Sequence, residues 1–114
     1  MVVTKRVYDD FAKQDGFRIL VDRLWPRGVT KDAAKVDTWL KEVAPSTELR
    51  KWFHKDRSNY KEFVKKYKEE LRTNNALPQL KELIKAHKKV TLLYGAKDEE
   101  HNHAEILRQL VGKG

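Results

Sequence analysis

The chain contains no cysteine, which excludes disulfides, thiolate catalysis and cysteine-ligated zinc or iron–sulfur clusters, and leaves His and carboxylates as the available metal ligands. Glycine is sparse, with 5 residues in 114. No Gly-rich phosphate loop occurs, and Leu93-Tyr94-Gly95-Ala96 offers a single glycine where a dinucleotide fingerprint needs several. A Ser/His/Asp arrangement is missing too. Long hydrophobic runs are also absent. No window approaches the ~20 apolar residues of a membrane span, and Met1-Val2-Val3-Thr4-Lys5-Arg6 holds no apolar segment of signal-peptide length. The cytoplasm is the expected compartment, with no membrane partner. Apolar residues are few overall, at 39% against the usual ~45–50%, while charged residues reach 37% against ~25%. The core must be small, and three Trp, four Tyr and four Phe supply much of its area.

A chain of 114 residues fits one domain, residues 1–114, because folded domains most often run to about 100–150 residues. The net charge of +8 and a pI near 9.7 mark a basic protein and point to an anionic partner. The charge is dispersed. Residues 1–57 carry thirteen Lys/Arg against nine Asp/Glu and residues 58–114 carry twelve against eight, so each half is +4 and no basic tail exists. Mixed-sign helix faces of this kind are usually solvated surface, which ranks nucleic acid below a small anion as the partner.

Residues 2–8, with β-branched side chains at 2, 3, 4 and 7, read as a first strand, and residues 17–24 as a second. Within the second, Ile19-Leu20-Val21 does not alternate with polar residues, the pattern of a strand covered on both faces and hence central and parallel. Val90-Thr91-Leu92-Leu93-Tyr94 repeats that pattern and exits at Gly95. Residues 36–43 suit an edge strand or a short helix, with the strand preferred. Ser46 can cap a helix carrying Leu49, Trp52 and Phe53, and Ser58 a longer one with Tyr60, Phe63, Val64, Tyr67 and Leu71 at helical spacing. A third helix is expected over 77–87. A last helix is expected over 99–111, capped by Asp98 and ended by Gly112. Strands followed by helices give an α/β fold, with a small, mostly parallel sheet of three to four strands flanked by helices.

Ligands of such sheets bind outside the carboxyl ends of the strands. If 18–24 and 90–95 are neighbours, two loops converge there. One brings Asp22, Arg23, Trp25, Arg27 and Lys31; the other brings Tyr94, Lys97, Asp98, Glu99, Glu100, His101, Asn102 and His103. Arg23 and Arg27 can fork onto a carboxylate or phosphate, with Lys97 and Asp98 nearby and Trp25 and Tyr94 as walls. Asp22 suits three roles: orienting an arginine, ligating a metal or acting as a base, with a structural salt bridge as the plainer alternative. His101 with Asp22 or Asp98 is the candidate acid–base set. On a helix begun at 99, His101 and His103 point about 200° apart, so they do not form a joint metal site; His101 faces the strand ends and His103 the flank. His54 reaches the same area or simply complements a helix C-terminus.

Three separated motifs carry a family resemblance over nearly the whole chain. They are Val21-Asp22-Arg23-Leu24-Trp25-Pro26-Arg27-Gly28, then Ala44-Pro45-Ser46 with Glu48-Leu49-Arg50-Lys51-Trp52-Phe53-His54, then Thr91-Leu92-Leu93-Tyr94 with Lys97-Asp98 and His101-Asn102-His103-Ala104. In these the sequence resembles the YeaO-like branch of the DUF488 family, small bacterial cytoplasmic proteins without a settled activity. The resemblance implies an α/β fold with a mostly parallel sheet. Some relatives in the wider family carry a Cys-His-Arg segment after the last strand; here that region reads Asp98-Glu99-Glu100-His101-Asn102-His103, so thiol or redox chemistry does not carry over. A tetrapyrrole-methylation label on some relatives has no counterpart here, since no Gly-rich donor loop exists.

The leading expectation is a binder of an anionic small molecule or nucleotide-like ligand at the strand ends, with no cofactor and no metal. Three alternatives stand beside it. One is a nucleic-acid or protein interaction module using the lysines around 61–72 and 81–89. Another is a thiol-independent hydrolase or transferase. In the third the motifs are structural, with Trp25, Trp39 and Trp52 in the core and the arginines paired to Asp22 and Asp37.

Overall fold

The computed structural model describes residues 1–112. Four parallel strands form one sheet: β1 (Val2–Arg6), β2 (Phe17–Leu20), β3 (Thr38–Trp39) and β4 (Val90–Tyr94), in the order β1-β4-β2-β3. Five α-helices accompany them: α1 (Lys31–Ala34), α2 (Thr47–Lys55), α3 (Tyr60–Leu71), α4 (Ala76–Ala86) and α5 (His103–Val111). The expected α/β fold with a small parallel sheet is what the chain adopts.

The two unbroken apolar runs became the two inner strands, for the reason their composition suggests. Every residue of β4 is buried, and Ile19, Leu20 and Val21 have no exposed surface. The register Ile19↔Leu92 and Leu20↔Leu93 sorts the side chains by face. Ile19, Val21, Val90, Leu92 and Tyr94 meet α2, α3, α4 and α5 in the main core, with Leu49, Phe53, Phe63, Tyr67, Leu80 and Leu107. On the other face Leu20 and Leu93 pack with Val7, Ala34, Trp25, Val29 and Val36.

That second face has no long helix over it. Where β2 would otherwise place an apolar residue it carries Arg18, only 1% exposed. The guanidinium pairs with Asp15 and donates to the carbonyls of Ala34 and Lys35. Lys5 reaches Asp15 at 3.2 Å, and Thr91 donates to the Asp15 carbonyl at 2.6 Å. A satisfied ionic network thus covers the sheet where the low apolar content leaves no residues for a second helical layer. Gly16, at φ +70°, lies where a Cβ would sit 2.4 Å from the Lys89 carbonyl oxygen, so the approach of the start of β2 to the residue preceding β4 requires glycine.

Several boundaries differ from the sequence reading. The first two strands end early, at Arg6 and Leu20. The ambiguous 36–43 stretch splits into the two-residue β3 and a 3-10 turn over Lys41–Val43. Ser46 does cap α2, accepting from the Leu49 amide. Ser58 is not a cap: it donates to Asp56, whose side chain starts a 3-10 turn, and α3 begins at Tyr60. The last helix starts at His103, because Asn102 accepts from the Glu105 amide and takes the capping position assigned to Asp98. Among the described residues no helix is long and apolar enough to cross a membrane.

Burial by itself raises the Asp15 carboxyl, but the Ala12 amide, Lys5 and Arg18 outweigh it and hold the group below the ordinary carboxylate value. Its stabilising contribution is therefore complete above the unfolded-state pKa of about 3.9 and is lost as pH falls through the lowered folded value. Urea unfolding from pH 7 down to pH 2 should show this acid limb, and Asp15→Asn should remove it. At neutral pH the same substitution, which leaves the Arg18 charge buried, should cost about 3–5 kcal/mol.

Candidate functional site

Beyond β2 and β4 the chain opens a cleft of about 330 Å³, with walls that include Tyr8, Asp22, Arg23, Trp25, Arg27, Arg50, Phe53, His54, Arg57, His101 and His103. Its floor is built around Asp22. The Asp22 Oδ2 accepts from the Gly95 amide at 2.9 Å, and the Asp22 carbonyl accepts from the Trp39 indole at 2.7 Å. His103 Nε2 lies 3.1 Å from Asp22 Oδ1 and 2.9 Å from the Val21 carbonyl oxygen. The strand-end segments after β2 and β4, the edge strand and the first residue of α5 therefore meet at one residue, Asp22, through its carboxylate and its backbone carbonyl. Glycine at 95 follows from this contact, since a Cβ there would lie 2.9 Å from Asp22 Oδ2.

The rim is cationic. Arg23 is tied down by the carbonyls of Pro45 (3.1 Å) and Ala44 (3.0 Å), with Glu42 at 3.8 Å. No ion pair among the described residues involves Arg27, Arg50 or Arg57. Burial pushes the His54 imidazole below its ordinary pKa, and the neighbouring Arg57 and Arg50 guanidiniums push it further. An exposed histidine that feels two arginines in this way marks a region of positive potential.

Of the residues expected from sequence, Asp22, Arg23, Trp25, Arg27 and His101 line the cleft. Trp25 does so with its indole N–H already donating to the Val29 carbonyl at 2.7 Å and its ring edge-on to Trp39. Tyr94 is 2% exposed and packs in the main core, because β4 turns it toward the helices; it is not a wall. Lys97 is exposed and does not line the cleft. Asp98 lies outside it, in an adjoining groove shared with Tyr60 and His101.

The expected Asp22–His101 set is not assembled. His101 Nδ1 is 3.2 Å from Asp98 Oδ2, and its ring meets Tyr60 edge-on, whereas the histidine beside Asp22 is His103, at 3.1 Å. The late start of α5 explains the exchange: residues 98–101 form a turn closed by Asp98, which accepts from the amides of Glu100 and His101, and His103 is left facing the strand ends. Those amide bonds hold the Asp98 carboxyl below the ordinary range. The structural pairing of arginines to Asp22 and Asp37 is not formed either, since the Asp37 carboxylate accepts from the Arg18 amide at 2.9 Å. Among the described residues no cluster of His, Asp or Glu has the makings of a metal site.

Arg50 and Arg57 escaped the sequence reading. Arg50 and His54 are four residues apart and share one face of α2, and Arg57 follows in the 3-10 turn beyond it; that spacing does not tell whether the face turns to a cleft or to water.

The family model described as "Inactive DUF488-N3 subclade" matches residues 1–113. The uncharacterised protein YeaO of Escherichia coli is 47% identical over 103 residues, 90% of each chain. An uncharacterised protein of Mycobacterium tuberculosis is 42% identical over 106 residues, covering 93% of this chain and 89% of its own. No solved structure matches.

Gly95→Ala should force Asp22 away from the Gly95 amide and cost about 1–3 kcal/mol, the penalty of an unmade buried hydrogen bond. Urea unfolding measures it, and a cost below ~0.5 kcal/mol would mean that the Asp22 contact does not constrain the loop.

Proposed function

We propose, on the premise that the chain belongs to the inactive DUF488-N3 subclade, that it is a binding protein whose cleft takes a small anion or a nucleotide-like ligand bearing phosphate or carboxylate. The observation that carries this reading is the rim: Arg27, Arg50 and Arg57 line one cleft and, among the described residues, none of them forms an ion pair, while Asp22, the acidic residue in the wall, accepts from the Gly95 amide and stands 3.1 Å from His103 Nε2. Like charges gathered without a partner repel, and a fold that holds them together is relieved by an anion between them. Guanidiniums suit the task because each presents a planar fork to an oxyanion.

The cleft also has apolar stretches, from Leu24, Pro26, Ala44, Pro45, Phe53, Phe63 and Ala96, which favour a ligand with a carbon body behind its charge. With no cysteine in the chain, covalent thiol chemistry is excluded.

A thermal-shift screen with nucleotides, phosphorylated metabolites and short oligonucleotides tests the reading. A small anion that stabilises the native state must raise the melting temperature. Arg27→Ala and Arg57→Ala should each weaken that ligand roughly ten- to a hundredfold, as expected for the loss of a charge-assisted hydrogen bond. Stabilisation by oligonucleotides alone, steeply salt-dependent and unchanged in both variants, would place binding on the helix lysines instead.

An independent check comes from His54. Because Arg57 and Arg50 help hold its pKa down, an anion seated between them should raise it, and affinity should increase as pH falls through that range. NMR titration of His54 with and without ligand reads the change; a His54 titration that ligand leaves unmoved would contradict the site.

A further inference from the structure

The arginine rim says that the ligand is an anion; the cleft floor says more about it. His103 Nε2 faces two oxygens that can only accept, the Val21 carbonyl at 2.9 Å and Asp22 Oδ1 at 3.1 Å. The proton of a neutral His103 ring therefore sits on Nε2, and the lone pair sits on Nδ1. Asp22 cannot turn away, because its other oxygen is held by the Gly95 amide at 2.9 Å. Among the described residues Nδ1 has no hydrogen-bond partner. It is also open: Asp22 Oδ1 is the only buried side-chain nitrogen or oxygen among the described residues without an aligned partner, so the unpartnered Nδ1 must reach solvent. His103 is 15% exposed and lines the cleft. The floor thus presents an oriented hydrogen-bond acceptor beneath a rim of donors.

We propose that the cleft selects oxyanions that carry a hydroxyl group, with the arginines taking the charge and His103 Nδ1 accepting from the O–H. The inference rests on the anion reading and names the ligand class for it. The hydroxyl belongs either to the anionic centre, as in hydrogen phosphate, or to the neighbouring carbon, as in a 2-hydroxy acid. A fully deprotonated oxyanion puts an oxygen lone pair against the Nδ1 lone pair, leaving the acceptor unpaired and repelled.

Matched pairs of simple anions test this on the full chain by calorimetric titration at pH 7.5. Phosphate and sulfate have similar shape, and sulfate has the greater charge, so charge alone ranks sulfate first; the proposal ranks phosphate first by roughly tenfold, the effect of one hydrogen bond made or left unmade. Glycolate against acetate tests the hydroxyl on the neighbouring carbon in the same way, and whichever pair shows the larger ratio identifies the source of the hydroxyl. His103→Phe should abolish the phosphate preference and return the order to the one charge alone sets, with sulfate at least as tight as phosphate. Should that variant fail to fold, nitrogen-15 spectra of the unaltered protein decide: Nε2 must carry the proton, and phosphate but not sulfate must shift the Nδ1 resonance.

Phosphate no tighter than sulfate together with glycolate no tighter than acetate, or a proton on Nδ1 in the free protein, overturns the proposal while leaving an anion site intact. Failure of all four anions and of larger phosphorylated compounds to bind overturns the anion reading and this inference with it.

Discussion

The carboxylate of Asp22 is the constraint on which the functional end of the molecule depends. β2 ends two residues before it, and the loop that follows must leave the sheet without unravelling the strand ends. Asp22 closes that gap by accepting from the Gly95 amide beyond β4 and standing against His103 at the start of α5, while its carbonyl takes the Trp39 indole from β3. The cleft walls are then held by separate anchors: Arg23 by the carbonyls of Ala44 and Pro45, and Trp25 by Val29. A pocket rigidly framed in this way loses little conformational entropy on binding.

The far face of the sheet shows how a chain with few apolar residues finishes a core. The helices α2, α3, α4 and α5 consume most of the apolar side chains on one face, leaving Leu20 and Leu93 with a loop and the four-residue α1 on the other. The Arg18–Asp15–Lys5 network closes the remainder. Such a network stabilises little relative to an apolar core of equal volume, but it is costly to break, and its fixed geometry sets the register of the loop from Ala34 to Asp37 against β2.

What was legible in the sequence follows from how each signal arises. Burial on both faces leaves an unalternating apolar run, so β2 and β4 were visible as inner parallel strands. The caps misled because several side chains compete for them: Asp98 and Asn102 both suit a helix start, and only the packing of Ala104 and Leu107 against the sheet settles that the turn of Asp98 comes first and α5 begins at His103. That shift of four residues exchanged the roles of the two histidines. Asp22, Arg23, Trp25 and Arg27 were legible as neighbours of the strand ends because they follow a strand that stops abruptly, and His101 because it lies in the loop after β4; all five line the cleft. Arg50 and Arg57 were missed because nothing local distinguishes a cationic helix face turned to a cleft from one turned to water. Tyr94 was misplaced because the face a strand residue takes depends on register, which the alternation of a doubly buried strand does not reveal.

The molecule joins an Asp22-centred floor to a cationic rim, and the proposed function rests binding on the strand ends rather than on the dispersed surface lysines. Backbone amide NMR during a titration with a phosphorylated ligand from the screen tests that assignment most directly. The account predicts shifts concentrated at residues 22–28, at Gly95 and Ala96, at residues 101–103 and at Arg50 to Arg57. Shifts scattered along the lysine-bearing faces of α3 and α4, with the strand ends unmoved, would contradict it.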